Sequence, residues 1–213
     1  MSGNFPLQQV LAEASKFSVI DELRLNMLGR CAVRQAQDAK GDFIELGVFR
    51  GGSALLLASV IRHYNKSCIL HLLDSWDGLP GLEEQDQGTF VEKGKFSLSS
   101  EDAVRVRLDE FQLLDVCRTY RGWIEDTLPT LPGPFSLAHI DLDLYRPTYC
   151  SLSWLLPRMT RDGEIIIDDY GNESLRRFPG VEKAVSELLV DSSWTIVERA
   201  GERDQSVRIT RQN

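Results

Sequence analysis

An apolar run, Phe43-Ile44-Glu45-Leu46, passes directly into a glycine-bearing turn, Gly47-Val48-Phe49-Arg50-Gly51-Gly52-Ser53, and then into Ala54 to Tyr64, whose pattern is plainly helical. A strand that feeds a tight turn and a helix must be followed by a parallel strand, because the helix packs back onto the sheet it left. The alternation continues down the chain. Ser67 to Leu73, Val116 to Tyr120, Leu137 to Ile140 and Glu164 to Ile167 read as further strands. Between them lie helices with apolar stripes: Val104, Leu108 and Phe111 after a cap at Ser99 or Ser100; Leu152, Leu155, Leu156 and Met159 after Pro147, with Pro157 ending or bending that helix; and Val181, Ala184, Val185 and Leu188. Thr195 to Glu198 and Ser206 to Thr210 alternate as a terminal antiparallel hairpin. The expectation is an α/β chain with a seven-stranded, mostly parallel sheet and helices on both faces. One domain over residues 1–213 accommodates it, with residues 1–40 as a helical segment broken near Lys16-Phe17, its second helix capped at Ser18 ahead of Asp21.

A formal net charge of −8 argues against a nucleic acid or an anionic membrane as partner. Cys31, Cys68, Cys117 and Cys150 show no C-x-x-C spacing and are expected to be reduced, structural thiols. Met1 to Gln9 lacks the basic and apolar regions of a secretory leader, and no apolar window is long enough to span a membrane, so the expected location is cytoplasmic. Residues 81–97 are polar, glycine-bearing and without period; they read either as a solvated loop or as a lid over a site.

Two of the strands end in carboxylates: Ile140-Asp141-Leu142-Asp143 and Ile167-Asp168-Asp169. Open α/β sheets place their chemistry in loops at the carboxyl ends of strands. Any one aspartate is explained as a helix or turn cap, but four on neighbouring strands would repel, at about 4 kcal/mol per pair near 4 Å and an effective dielectric near 20. A hard divalent cation, Mg²⁺ with Mn²⁺ as its substitute, suits such oxygen ligands, and zinc does not. His139, one residue inside its strand, reads as a core or supporting histidine rather than a ligand, and His63 and His71 as structural. The glycine turn departs from the dinucleotide fingerprint, since Phe49 stands where a second glycine is needed. Close backbone packing alone would account for its glycines. With Glu45 before the turn and Asp74 ending the next strand, it also suits a nucleoside-like cation such as S-adenosylmethionine, because Arg50 is the turn's one base for phosphates. Trp76 and Trp123 follow strand ends and either wall an adenine or simply pack.

Five ordered blocks, Gly41 to Ser53, Asp74 to Pro80, Gly122 to Pro129, Ile140 to Tyr145 and Asp168 to Gly171, together resemble the macrocin O-methyltransferase (TylF-like) family. The similarity runs from about Ser18 to Leu189, with Pro179-Gly180 and Lys183-Ala184 resembling the family's late helix. It implies a Rossmann-like class I methyltransferase fold with sheet order 3-2-1-4-5-7-6, the last strand antiparallel. It also implies S-adenosylmethionine and Mg²⁺ dependence and a hydroxyl acceptor on a sugar or glycosylated small molecule. By position, Asp141, Asp168 and Asp169 would be metal ligands and Asp143 the general base, since Tyr145-Arg146-Pro147 offers no histidine in that role. Glu45, Gly47, Gly51, Ser53, Asp74, Ser75, Gly122, Trp123 and Asp141 would surround the cofactor. The alternatives are a metal-dependent glycosyltransferase using Asp141-x-Asp143 and a non-catalytic nucleoside-binding module. The acceptor's identity and a homo-oligomeric state are open at this level.

Overall fold

The computed structural model describes residues 5–38, 41–65, 67–171, 178–201 and 205–212. In chain order the elements are α1 (Leu7–Ala14), α2 (Glu22–Asp38), β1 (Asp42–Leu46), α3 (Gly52–Tyr64), β2 (Leu70–Asp74), α4 (Glu101–Glu110), β3 (Cys117–Arg121), α5 (Ile124–Thr127), β4 (Phe135–Ile140), α6 (Tyr145–Leu155), β5 (Met159–Ile167), α7 (Pro179–Leu189), β6 (Trp194–Ala200) and β7 (Ser206–Arg211). The sheet order is β3-β2-β1-β4-β5-β7-β6. β1 to β5 pair in parallel, and β7 runs antiparallel to β5 and β6. This is the order that the family resemblance implies.

Strand side chains alternate between faces, so each strand feeds two cores. Phe43, Leu70, Leu72, Leu137 and Ile166 pack with α1 to α4. Ile44, Leu46, Leu73, Ala138, Ile140, Ile165 and Ile167 pack with α5 to α7. No described helix is long and apolar enough to cross a membrane. The four cysteines are free, and burial pushes the Cys31, Cys68 and Cys117 thiols up to about 12.

Several local expectations are corrected. Asp21, not Ser18, caps α2: its Oδ1 accepts from the Arg24 amide at 3.0 Å, whereas the Ser18 hydroxyl accepts from the Ile20 amide ahead of the helix. Ser100, one of the two serines expected, does cap α4 by accepting from the Ala103 amide, but Phe111, past the helix end, is exposed rather than part of its stripe. Met159 belongs to β5 and not to α6, which ends at Leu155 before Pro157. Ala39, where the sequence ends α2, lies outside the described residues.

Candidate functional site

The parallel ladder extends past the strand ends and gathers them into one rim. The Gly47 amide donates to Leu73 O, Asp141 to Leu46 O, Asp168 to Ile140 O and Gly122 to Asp74 O, at 2.8–3.0 Å. Gly47, at φ +87°, is needed here, since a β-carbon would collide with the Asp141 carbonyl. The glycine turn and the first acid loop are therefore in direct backbone contact, although the sequence separates them widely. Two aspartates of the rim, Asp143 (φ 62°) and Asp169 (φ 60°), adopt left-handed backbone, which aspartate enters more readily than most non-glycine residues.

A cavity of about 250 Å³ opens at this rim. Gly47, Ser53, Asp74, Ser75, Gly122, Trp123, Asp141, Asp143 and Asp169, all singled out from sequence, line it. Glu45, Gly51 and Asp168 do not. Glu45 is fully buried against His139, Gly51 is the left-handed cap of α3, and Asp168 is buried at 1% exposure with an oxygen within 4.8 Å of one of Asp141. Asp74 braces the turn: Oδ2 accepts from the Val48 and Phe49 amides and Oδ1 from Trp76, at 2.7–2.8 Å. A carboxylate has lone pairs beyond those three bonds, so Asp74 retains accepting capacity toward the cavity. The two tryptophans part company. Trp76 is buried behind the turn with its indole N–H on Phe49 O, while Trp123 is 41% exposed and faces the cavity.

Behind the wall a row of ionisable side chains crosses the sheet. His139 Nδ1 meets Glu45 Oε1 at 2.9 Å and Nε2 meets Asp168 Oδ2 at 2.8 Å, with all three side chains at most 1% exposed. Burial opposes the imidazolium, but hydrogen bonds to Asp168 and Glu45 overcome it and raise His139 to about 10. Burial would also raise Asp168, yet the His139 hydrogen bond and charge hold it below the usual carboxylate range. In the cavity the reverse holds. Burial and then the neighbouring Asp169 and Asp168 push Asp141 well up, burial and then Asp143 do the same to Asp169, and burial and then Asp141 raise Asp143 to about 8. Among the described residues Asp168 Oδ1 has no hydrogen-bond partner, although Arg24 lies 3.7 Å away and the Ser206 hydroxyl is close.

Crowded oxygens with raised affinity for protons, and one buried carboxylate oxygen without a hydrogen bond, fit a hard divalent cation. Among the described residues, His139, Asp141 and Asp168 each offer one donor atom within 4.8 Å of the others. Both His139 nitrogens already contact carboxylate oxygens. Asp169, within hydrogen-bonding reach of Asp141 and Asp143, brings a further oxygen donor to the rim.

Sequence reasoning missed Arg24. Its guanidinium, buried at the cavity wall, lies 3.4 Å from Asp169, 3.7 Å from Asp168 and 3.2 Å from Asp21. One signal was available: an arginine in the first turn of a helix works against the helix dipole and so calls for another partner. The stretch from Phe17 to Ile20 also lines the cavity, which makes the amino-terminal helices part of the site. Residues 81–97 are tied down at Asp86, which accepts from the Tyr145 amide, and at Gly94 and Lys95, which pair with Leu79; Phe96 reaches the cavity.

A model of the macrocin O-methyltransferase (TylF) family matches residues 13–189. Among curated proteins, 8-demethyl-8-(2,3-dimethoxy-alpha-L-rhamnosyl)-tetracenomycin-C 4'-O-methyltransferase of Streptomyces olivaceus is 32% identical over 163 residues, 72% of this chain and 62% of that protein. The chain thus spans under two thirds of that relative's length. Among solved structures, the O-methyltransferase NovP superposes with a TM-score of 0.76 at 27% identity, covering 92% of this chain and 83% of NovP. The SAH-bound methyltransferase PaMTH1 of Podospora anserina shares the fold, with a TM-score of 0.62 at 16% identity over 97% of this chain and 88% of that one.

Proposed function

The chain belongs to the macrocin O-methyltransferase (TylF) family, and from that premise we propose that it transfers a methyl group from S-adenosylmethionine to a hydroxyl of a sugar-bearing small molecule, with Mg²⁺ or Mn²⁺ at the acid cluster. The observation that carries the reading is that the Gly47 turn and Asp141, Asp143 and Asp169 share one cavity. A glycosyltransferase using Asp141-x-Asp143 would leave that turn and Asp169 without a role.

The Gly47 turn, Ser53 at the start of α3, Asp74 and Trp123 form the wall on which the donor would lie, with Asp74 free to accept from its hydroxyls. Asp141, Asp168 and Asp169 would hold the cation, which when bound lowers the pKa of a hydroxyl that it touches. Asp143, beside them and largely withdrawn from water, would take the acceptor's proton as the oxygen attacks the methyl carbon in line and the carbon–sulfur bond breaks. A second recess shares Pro80, Trp123, Glu125 and Pro147 with the first, and it has room for the rest of a glycosylated acceptor. Phe96, from the 81–97 segment, would help exclude water.

The test is calorimetry with S-adenosylmethionine followed by methyl incorporation into a panel of glycosides, with and without a chelator. Donor binding and chelator-sensitive incorporation are expected. Failure to bind the donor would overturn the reading, and chelator-resistant transfer would remove the metal from it.

A further inference from the structure

We infer that His139 is a positioning residue that fixes the orientation of Asp168 and ties it to Glu45, the last acid before the glycine turn. The inference rests on the metal reading above and extends it to a residue behind the proposed ligands.

Strand register puts the three together. Glu45 on β1 pairs directly with His139 on β4, and His139 pairs with Ile166 on β5. Asp168 follows Ile166 by one pleat repeat, so the three side chains share one face of the sheet, the face that α2 and α3 cover. Both ring nitrogens lie at hydrogen-bond distance from carboxylate oxygens, Nδ1 from Glu45 Oε1 at 2.9 Å and Nε2 from Asp168 Oδ2 at 2.8 Å. Those contacts engage both nitrogens of His139 and fix Oδ2 of Asp168. What remains is Oδ1, buried and without a hydrogen-bond partner among the described residues, on a carboxylate one of whose oxygens lies within 4.8 Å of an oxygen of Asp141.

A bare structural role explains the row poorly. The strand residues beside the row on this face include Phe43, Leu137 and Ile166, and well-packed hydrophobes commonly replace a buried ion pair at no cost in stability. Glu45 Oε2 moreover has no hydrogen-bond partner, so the row is not a fully satisfied network. A charged row that leaves a buried oxygen unsatisfied makes sense when it holds a ligand carboxylate in place. Residues that orient metal ligands in this way commonly set metal affinity by about 10–100-fold.

The experiment measures Mn²⁺ affinity, S-adenosylhomocysteine affinity and thermal stability on the full chain, for wild type, His139→Leu and His139→Gln. The positioning role predicts Mn²⁺ binding weaker by about 10–100-fold in His139→Leu, with a smaller loss in His139→Gln, which keeps one donor for Asp168; the nucleoside affinity stays within about twofold. Unchanged Mn²⁺ affinity with a lowered melting temperature would assign a structural role only. Tighter Mn²⁺ binding would mean that His139 acts as a competing cation, and either result overturns the inference. Should neither variant fold, imidazole N–H resonances of the wild type decide. Both should be visible, with Nε2–H moving on Mg²⁺ addition, and an unresponsive Nε2–H sinks the proposal. Wild type that binds neither ion overturns the metal reading itself, and this inference with it.

Discussion

Glu164 and Asp168 stand on the same face of β5, one at each end of its buried half, and α2 lies alongside to answer both. At the Glu164 end, Arg34 donates to both carboxylate oxygens at 2.7 and 2.6 Å, Gln35 to Oε1 at 2.9 Å and Arg208 to Oε2 at 3.2 Å. Burial would raise Glu164, but hydrogen bonds from Arg34 and Gln35 overcome it and hold the carboxyl below its ordinary value. At the other end Asp141, Asp143, Asp168, Asp169 and Glu45 face, among the described residues, Arg24 and His139, and three of these acids are pushed up. The two ends share strand, helix and chemistry, and differ in how far cations match the acids. The matched end locks the sheet to α2. The unmatched end is left short of positive charge among the described residues, as the proposed cation site would be.

Breaking the unmatched end at its proposed base should give the largest effect. Asp143→Asn is expected to lower turnover by about 10²–10⁴-fold, the usual worth of a general base, while donor and metal affinities hold. Near-normal turnover in a methyl-transfer assay would remove Asp143 from that role. Next comes Asp169→Asn, which should weaken Mn²⁺ binding by at least about tenfold, or about 1.4 kcal/mol, and yet raise the metal-free melting temperature. Relief of about 1 kcal/mol of repulsion corresponds to roughly 2–4 °C in a chain of this size. At the matched end the sign inverts. Glu164→Gln should leave metal and donor binding intact and lower stability by about 1–2 kcal/mol. Breaking a fully buried pair costs about 3–5 kcal/mol, and the discount reflects an Arg34 side chain that is 45% exposed and screened by water.

The contrast between the ends was only half legible in the sequence. The rim was readable, because strands that end in Asp141, Asp143, Asp168 and Asp169 state their own polarity, and a glycine turn after Leu46 fixes where the rim lies. What crosses the sheet was not. Glu45 reads as a ligand contact by its place before Gly47, and only the β1–β4 register turns it inward onto His139. Asp86 reads as one more charge in a polar loop, although its carboxylate anchors the start of α6 through a bond 59 residues away in sequence. Arg24 and Arg34 look like the solvated face of an amphipathic helix until the side on which α2 packs is known. Local chemistry is written in order along the chain, whereas pairing between strands and helices depends on register, which one sequence does not print.

The smallest effect also tests the comparison most directly, by titrating the two ends against each other in metal-free protein. Glu164 is held below its ordinary 4.5, so its contribution is present above that value and fades as pH falls through the folded-state value. The deficit of Glu164→Gln relative to wild type should therefore shrink in acid, from about 1–2 kcal/mol toward none. Asp169 is held well above its ordinary 3.8, so wild type loses stability as pH rises above that value and the native state keeps a proton that the unfolded chain releases. The gain of Asp169→Asn should grow with rising pH and vanish near the ordinary value. The two variants ought then to approach wild type in acid from opposite sides, and chemical denaturation from about pH 8 to below the ordinary carboxylate values near 4 reads both. Added Mg²⁺ should reverse the sign for Asp169→Asn alone, because only wild type then keeps its full set of oxygens for the cation. A Glu164→Gln deficit that responded to Mg²⁺ would mean that the two ends of β5 are one electrostatic unit rather than two.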